Sequence, residues 1–166
     1  INALALKEAV EQQGQPARVM SALDIESVAE PFIRGKALRH FEKGRVLILA
    51  AGTGNPFFTT DTCASLRAIE LGADILLKAT KVDGVYDCDP VKNAAARRFD
   101  TLTFQEAIAK QLRVMDLTAL SMCMEHNLPV VVFNFKQDGN ICKVVAGENI
   151  GTLVNNPSDN AVTNVT

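Results

Sequence analysis

The chain has 166 residues, 48% of them apolar and 22% charged, with a formal net charge of −2. That length is one domain's worth of chain with enough residues for a real core, and the composition is ordinary for a globular protein. The balance of charge leaves no basic footprint for nucleic acid or an anionic membrane, so any phosphate ligand must be held by local groups.

Cys63, Cys88, Cys123 and Cys142 stand far apart without a C-x-x-C pair. This argues against a zinc site or a disulfide framework and for structural thiols in a reducing compartment. No apolar run approaches about 18 residues and no signal-peptide pattern opens the chain, so the expectation is a soluble, cytoplasmic protein.

In chain order, INALALKEAVEQQG (1–14) carries apolar residues at helical spacing and stops at Gly14. ARVMSAL (17–23) reads as a strand, and SVAEPFIRGKALRHFEKG (27–44) as a helix delayed by Pro31. RVLILAA (45–51) is a strand, and TDTCASLRAIELGA (60–73) a helix with a Thr/Asp start and Gly72 near its end. DILLKAT (74–80) is a strand, followed by a long loop over 82–99. Helices follow over 102–111 and 112–127, then a strand PVVVFNF (129–135), a short helix over 140–148 and a last strand GTLV (151–154).

Strands alternate with helices, and the strands are apolar runs, as parallel strands covered on both faces require. The expected fold is α/β: a doubly wound, mainly parallel sheet sandwiched by helices. The domain is expected over 1–154, with a polar tail over 155–166 lacking periodicity and expected to be disordered. In such sheets ligands sit beyond the carboxyl ends of the strands. That rule selects 51–61, 78–90 and 134–140.

AGTGNPFFTTD (51–61) places Gly52 and Gly54 where backbone N–H groups could approach a ligand, and Thr59 and Thr60 where the next helix begins. Phe57 and Phe58 offer flat apolar faces to a base or a neighbouring subunit. The set suits a nucleoside monophosphate, although a plain strand-to-helix turn with core phenylalanines also accounts for it. It is not a dinucleotide fingerprint, because Phe57 stands where the third glycine belongs.

KATKVDGVYDCDP (78–90) groups Lys78, Lys81, Asp83, Asp87 and Asp89 around Gly84 and Tyr86. The spacing fails a calcium loop, since Gly84 follows the first Asp directly and no Glu stands at the twelfth position. A nucleotide loop fits, with Lys81 for phosphate, Tyr86 against a purine and Asp89 for hydroxyl or amino groups; a solvated turn is the alternative. Asp116, between Met115 and Leu117, is a helix N-cap, a functional group, or both. His40 and His126 have no plausible nucleophile partner and are read as structural.

AGTGNPFFTTD, LKATKVDGVYDCDP, LRVMDLTA and LPVVVFN, in this order and spacing, closely resemble the bacterial UMP kinase (uridylate kinase) family of the amino-acid kinase superfamily. The resemblance runs from Ile1 to about Val154. It implies Mg²⁺-assisted transfer of phosphate from ATP to UMP. Thr53, Gly54, Asn55, Pro56, Phe57, Phe58, Thr59 and Thr60 match the family's UMP-binding segment. Thr80, Tyr86 and Asp89 match ATP-binding positions, with Lys81 beside them. Asp61 matches the acidic residue that organises the transfer centre, and Asp116 the Asp of the family's MDL stretch; both are expected to be catalytic. The resemblance further implies homohexamers activated by GTP and inhibited by UTP.

The family's phosphate-binding lysine strand and its Gly-Gly-Gly loop do not occur in this sequence. The expectation is therefore a chain shortened at its N-terminus. A carboxylate or carbamate kinase of the same superfamily and an inactive nucleotide-binding fragment are the competing readings. Losing a phosphate cradle should cost several powers of ten in rate. The chain alone is thus expected to be a poor UMP kinase of low solubility. A steady-state assay on a monodisperse sample checks this, and turnover on the order of 10 s⁻¹ would count against it.

Overall fold

The computed structural model describes residues 1–25, 27–93 and 95–157. They form two compact units, one spanning Ile1–Gly72 and one starting at Ala73.

The first unit holds α1 (Asn2–Gln12), β1 (Ala17–Ser21), β2 (Glu30–Pro31), α2 (Arg34–Glu42), β3 (Val46–Ala50) and α3 (Thr60–Leu71). Its strands are parallel in the order β2-β1-β3, with Ala17 to Ser21 in register with Val46 to Ala50. Met20 and Ala17 are fully buried in β1, and α1 packs on β1 and β3. α2 packs on β3 and α3 and buries Ala37.

The helix expected over 27–44 begins only at Arg34, because Glu30 and Pro31 pair with β1 instead. Pro31 restricts the residue before it to extended backbone, and it needs no ladder partner for a nitrogen that carries no hydrogen. Phe32 then donates its N–H to the Ser21 carbonyl at 2.8 Å, extending the pairing.

The second unit holds β4 (Leu76–Thr80), β5 (Thr101–Thr103), α4 (Phe104–Ala109), α5 (Leu117–Glu125), β6 (Val130–Asn134), α6 (Asn140–Val145) and β7 (Thr152–Asn155). The strand order is β4-β6-β7-β5; β4 runs parallel to β6 and β5 to β7, while β6 and β7 are antiparallel. Val130 and Val154, paired across β6 and β7, are fully buried, as is Phe104 at the start of α4. The α/β, mainly parallel character expected from the sequence is present, distributed over two sheets with one antiparallel pair.

Residues 101–103 form a strand where a helix start was expected. Leu102 is buried between two less buried β-branched threonines, a period of two that suits a pleated edge. The last of these, Thr103, turns the chain into α4 by accepting the Glu106 N–H at 3.1 Å.

At the far end, Asn155 closes β7, and the Asn156 amide donates to the Met124 carbonyl at 2.9 Å. The rest of the expected tail, 158–166, lies outside the described residues.

The excursion over 81–100 is tied to β7 by one side chain. Fully buried Thr152 accepts the Val85 N–H at 2.9 Å and donates its hydroxyl to the Phe99 carbonyl. Thr152→Val keeps the shape but strands both backbone groups. It should therefore lower stability by at least about 2 kcal/mol, while Thr152→Ser should retain most of it. Urea unfolding of the three proteins checks both expectations.

Candidate functional site

In the first unit the chain leaves β3 through a loop with four residues in left-handed backbone: Ala51 (φ 65°), Gly52 (61°), Gly54 (77°) and Phe57 (69°). A bulky residue rarely takes that conformation, and such strain collects at functional positions. Phe57 is also wholly exposed and Phe58 more than half so, which sets aside the reading of both as core residues.

Gly54 lies against the end of β1. A Cβ there would stand 2.9 Å from the Ala22 carbonyl oxygen, so the close approach as well as the positive φ requires glycine. Thr53 and Asn55 brace the turn: the Asn55 N–H donates to Thr53 Oγ1 at 3.1 Å and its side-chain amide to the Thr53 carbonyl at 3.3 Å. Pro56 follows, and Thr59 caps α3 by accepting the Thr62 N–H at 3.2 Å. Thr60 and Asp61 stand in the first turn of α3, where the helix dipole favours negative charge. All of the residues from Thr53 to Asp61 singled out in the sequence thus belong to one loop and one helix start.

In the second unit, a cavity of about 490 Å³ is lined by Tyr86, Asp87, Cys88, Asp89 and their neighbours on one side and by Lys110, Gln111, Leu112 and Arg113 on the other. That size lies within the range of about 300–1,000 Å³ usual for small-molecule sites. Lys92, Lys110 and Arg113 supply positive charge, and Asp87 and Asp89 negative charge.

The Asp87 carboxyl is held below its ordinary value, first by the Arg97 backbone N–H it accepts at 2.9 Å. Asp89 accepts the Val91 N–H at 2.9 Å, an Asx turn that leads the chain out past Pro90. The Cys88 thiol is pushed up by loss of solvation and then by Asp87, which makes it a poor nucleophile.

Of the four residues expected to meet ATP, Tyr86 and Asp89 line this cavity, and Thr80 and Lys81 do not. Thr80 closes β4 with its hydroxyl, which donates to the Val82 carbonyl at 2.6 Å and accepts the Val82 N–H at 3.2 Å. Asp116 caps α5 by accepting the Ala119 N–H at 2.9 Å, so the capping role is realised. Lys78, on β4, donates to the Val114 carbonyl at 2.8 Å.

His40 bonds Glu30 through Nε2 at 3.1 Å and Arg45 through Nδ1 at 2.9 Å, a structural tie within the first unit. A second concavity in that unit, of about 610 Å³, is lined by Glu11, Gly14, Gln15, Pro16, Arg18, Lys43 and Arg45.

Sequence reasoning missed the wall from Lys110 to Arg113. The sequence pattern predicts helices over 102–111 and 112–127, which run through these residues, whereas the chain there turns through Gln111 in left-handed backbone (φ 51°). The two cations bracketing Gln-Leu were the available signal. A rule that searches only strand ends passes over them.

A loop-bearing mainly parallel α/β chain with a charged small-molecule cavity is the class that fold and geometry define. A family model for the amino acid kinase family matches residues 1–134, and the chain belongs to that family. It is similar to the crystal structure of UMP kinase from Bacillus anthracis, with 36% identity and a TM-score of 0.91 over 95% of this chain and 65% of that one. UMP kinase from Ureaplasma parvum matches with 37% identity and a TM-score of 0.89, over 93% of this chain and 66% of that one. Uridylate kinase from Archaeoglobus fulgidus matches with 32% identity and a TM-score of 0.62, over 75% and 58%. The chain thus spans about two thirds of the length of the first two.

The cavity wall hangs on α4, whose start is a capping box. The Glu106 carboxylate accepts the Thr103 N–H at 3.0 Å and its hydroxyl at 2.9 Å. The Thr103 backbone bond is the main cause that lowers the Glu106 pKa below its ordinary 4.5. A lowered folded-state pKa contributes stability above the unfolded value and loses it as pH falls through the folded one. Glu106→Gln should therefore lower the melting temperature at neutral pH, with the gap to the parent closing below about pH 4.5. Melting curves at stepped pH check this.

Proposed function

We propose that the chain takes part in the ATP-dependent phosphorylation of UMP to UDP, with the acceptor held by the loop from Thr53 to Thr60 and the donor by the cavity around Tyr86 and Asp89. The observation that carries the reading is the strained, exposed loop that runs from Gly54 past Phe57 into the Thr59-capped start of α3. The loop leads into the positive end of a helix dipole, where a monophosphate is favoured. The exposed phenylalanines offer a base-sized apolar face. Similarity to two UMP kinases at 36% and 37% identity supports the same substrate. A carboxylate or carbamate acceptor would leave that aromatic face unused.

The nucleophile is a phosphate oxygen of UMP, largely ionised at neutral pH because its second pKa is about 6. No general base is needed, in keeping with the structural tie that His40 makes to Glu30 and Arg45. The chain's work is to align two anions and offset the charge on the transferring group. Asp61, in the first turn of α3, orients the centre, and Asp116, which caps α5, is the second catalytic carboxylate. Lys92, Lys110 and Arg113 offset the donor's charge, with Lys81 and Thr80 at the end of β4 as further contacts.

Among the described residues no group of three or more His, Cys, Asp or Glu side chains gathers in a metal cage. Mg²⁺ would be held mainly by nucleotide phosphates and water. When bound it supplies neutralisation of the phosphate oxygens. The single domain expected over 1–154 is proposed as this kinase-type nucleotide domain. A homohexamer, GTP activation, UTP inhibition and a cytoplasmic site of action are proposed with it. The cationic groove of Arg18, Lys43 and Arg45 offers charge for a polyphosphate effector. No described helix is long and apolar enough to cross a membrane.

Equilibrium dialysis of the chain should show UMP bound well ahead of CMP, AMP and aspartate, because a base-pairing site penalises unpaired groups by up to roughly 10⁴-fold. In a chain that also carries the family's phosphate-binding lysine strand and glycine loop, a coupled ADP-release assay should rank the acceptors in the same order. In that assay Asp61→Asn should cut turnover at least about tenfold with little change in the KM for UMP. Equal handling of aspartate or AMP would overturn the reading.

A further inference from the structure

Tyr86 lines the cavity, but Asp83, three residues earlier, does not. The Tyr86 hydroxyl donates to Asp83 Oδ1 at 2.6 Å, a short charge-assisted bond. The backbone at Tyr86 is already held by an antiparallel bridge to Arg98. What that bridge leaves open is the direction of the ring, and the bond to Asp83 closes it. Asp83 is held in turn: Arg98 Nη1 lies 3.8 Å from Asp83 Oδ2, and Arg98 Nη2 is anchored 3.2 Å from Asp100 Oδ1. Gly84, between the two partners, packs so closely that a Cβ would stand 2.5 Å from the hydroxyl of buried Thr152. The turn that sets the distance from Asp83 to Tyr86 is therefore fastened to the sheet.

From this geometry we propose that Asp83 is a positioning residue for the donor nucleotide. Its carboxylate holds the Tyr86 phenol so that the ring stands ready at the cavity wall for a nucleobase to pack against. The inference rests on the donor-site reading above and adds a residue that touches no ligand itself. Its physical content is preorganisation: a ring already fixed loses less freedom when the base arrives, worth roughly three- to tenfold in affinity. The phenol is also raised above its ordinary titration range, first by the bond to Asp83, as expected when the neutral donor form is the one held.

The chain has one tyrosine and no tryptophan, so phenolate absorbance near 295 nm reports Tyr86 alone. Asp83→Asn should lower the midpoint of that titration and weaken ATP binding, measured by equilibrium dialysis, by roughly three- to tenfold. UMP binding and the circular dichroism spectrum should be unchanged. In a Tyr86→Phe background, adding Asp83→Asn should change the Kd for ATP by less than about twofold, because the bond it weakens is already gone.

An equal loss of ATP affinity in both backgrounds would overturn the inference, as would ATP binding indifferent to Asp83→Asn. Failure of the parent chain to bind ATP, with the Asp83-dependent tyrosine titration intact, would instead overturn the donor-site reading and this inference with it.

Discussion

Parallel pairing makes neighbouring strands end at the same edge of a sheet, and both candidate sites grow from that constraint. In the first unit Ser21 is in register with Ala50, so the chain leaving β1 and the chain leaving β3 start side by side. The Ala22 N–H bonds the Ala50 carbonyl at 3.1 Å, and Gly54 then meets Ala22 where no side chain fits. In the second unit Thr80 is in register with Asn134, and the Phe135 N–H bonds the Thr80 carbonyl at 3.0 Å. The loops that carry polar chemistry are thus pinned by backbone bonds at their roots.

Past the roots, the two units use different means to order irregular chain. The loop after β3 is short, and it adopts left-handed backbone at Ala51 and Phe57, at a cost of about 1–3 kcal/mol for each strained residue. The helix start at Thr59 and the braces at Thr53 and Asn55 hold that conformation. The excursion over 81–100 is long, and a buried hydroxyl holds it: Thr152 takes one backbone group from each arm. Asp87 adds a further clasp by accepting the Arg97 N–H. A loop ordered in this way can form one wall of a cavity.

Charge is distributed with the same economy. The protein has a net charge of −2, yet Lys92, Lys110 and Arg113 gather at one cavity. Local placement of cations makes one cavity wall positive without making the whole surface basic. Asp116 and Glu106 contribute by ordering helix starts, and the cavity wall from Lys110 to Arg113 runs between those two helices.

The alternation of apolar strands with amphipathic helices, the loop at 51–61 with its helix start, and the cap at Asp116 were all legible in the sequence. Each depends on residues close in the chain: β-branched runs, a Thr three residues before the N–H it caps, a Gly-Asn-Pro turn. Where the reading went astray, a distant partner decided the outcome. Residues 101–103 are a strand because β7 lies beside them, and Pro31 belongs to a strand because β1 does. The wall from Lys110 to Arg113 faces Tyr86 only after α4 is set by its cap and by β5. Local patterns carry backbone preference and therefore element type. Register and the meeting of segments some twenty residues apart arise from packing, which no local pattern encodes.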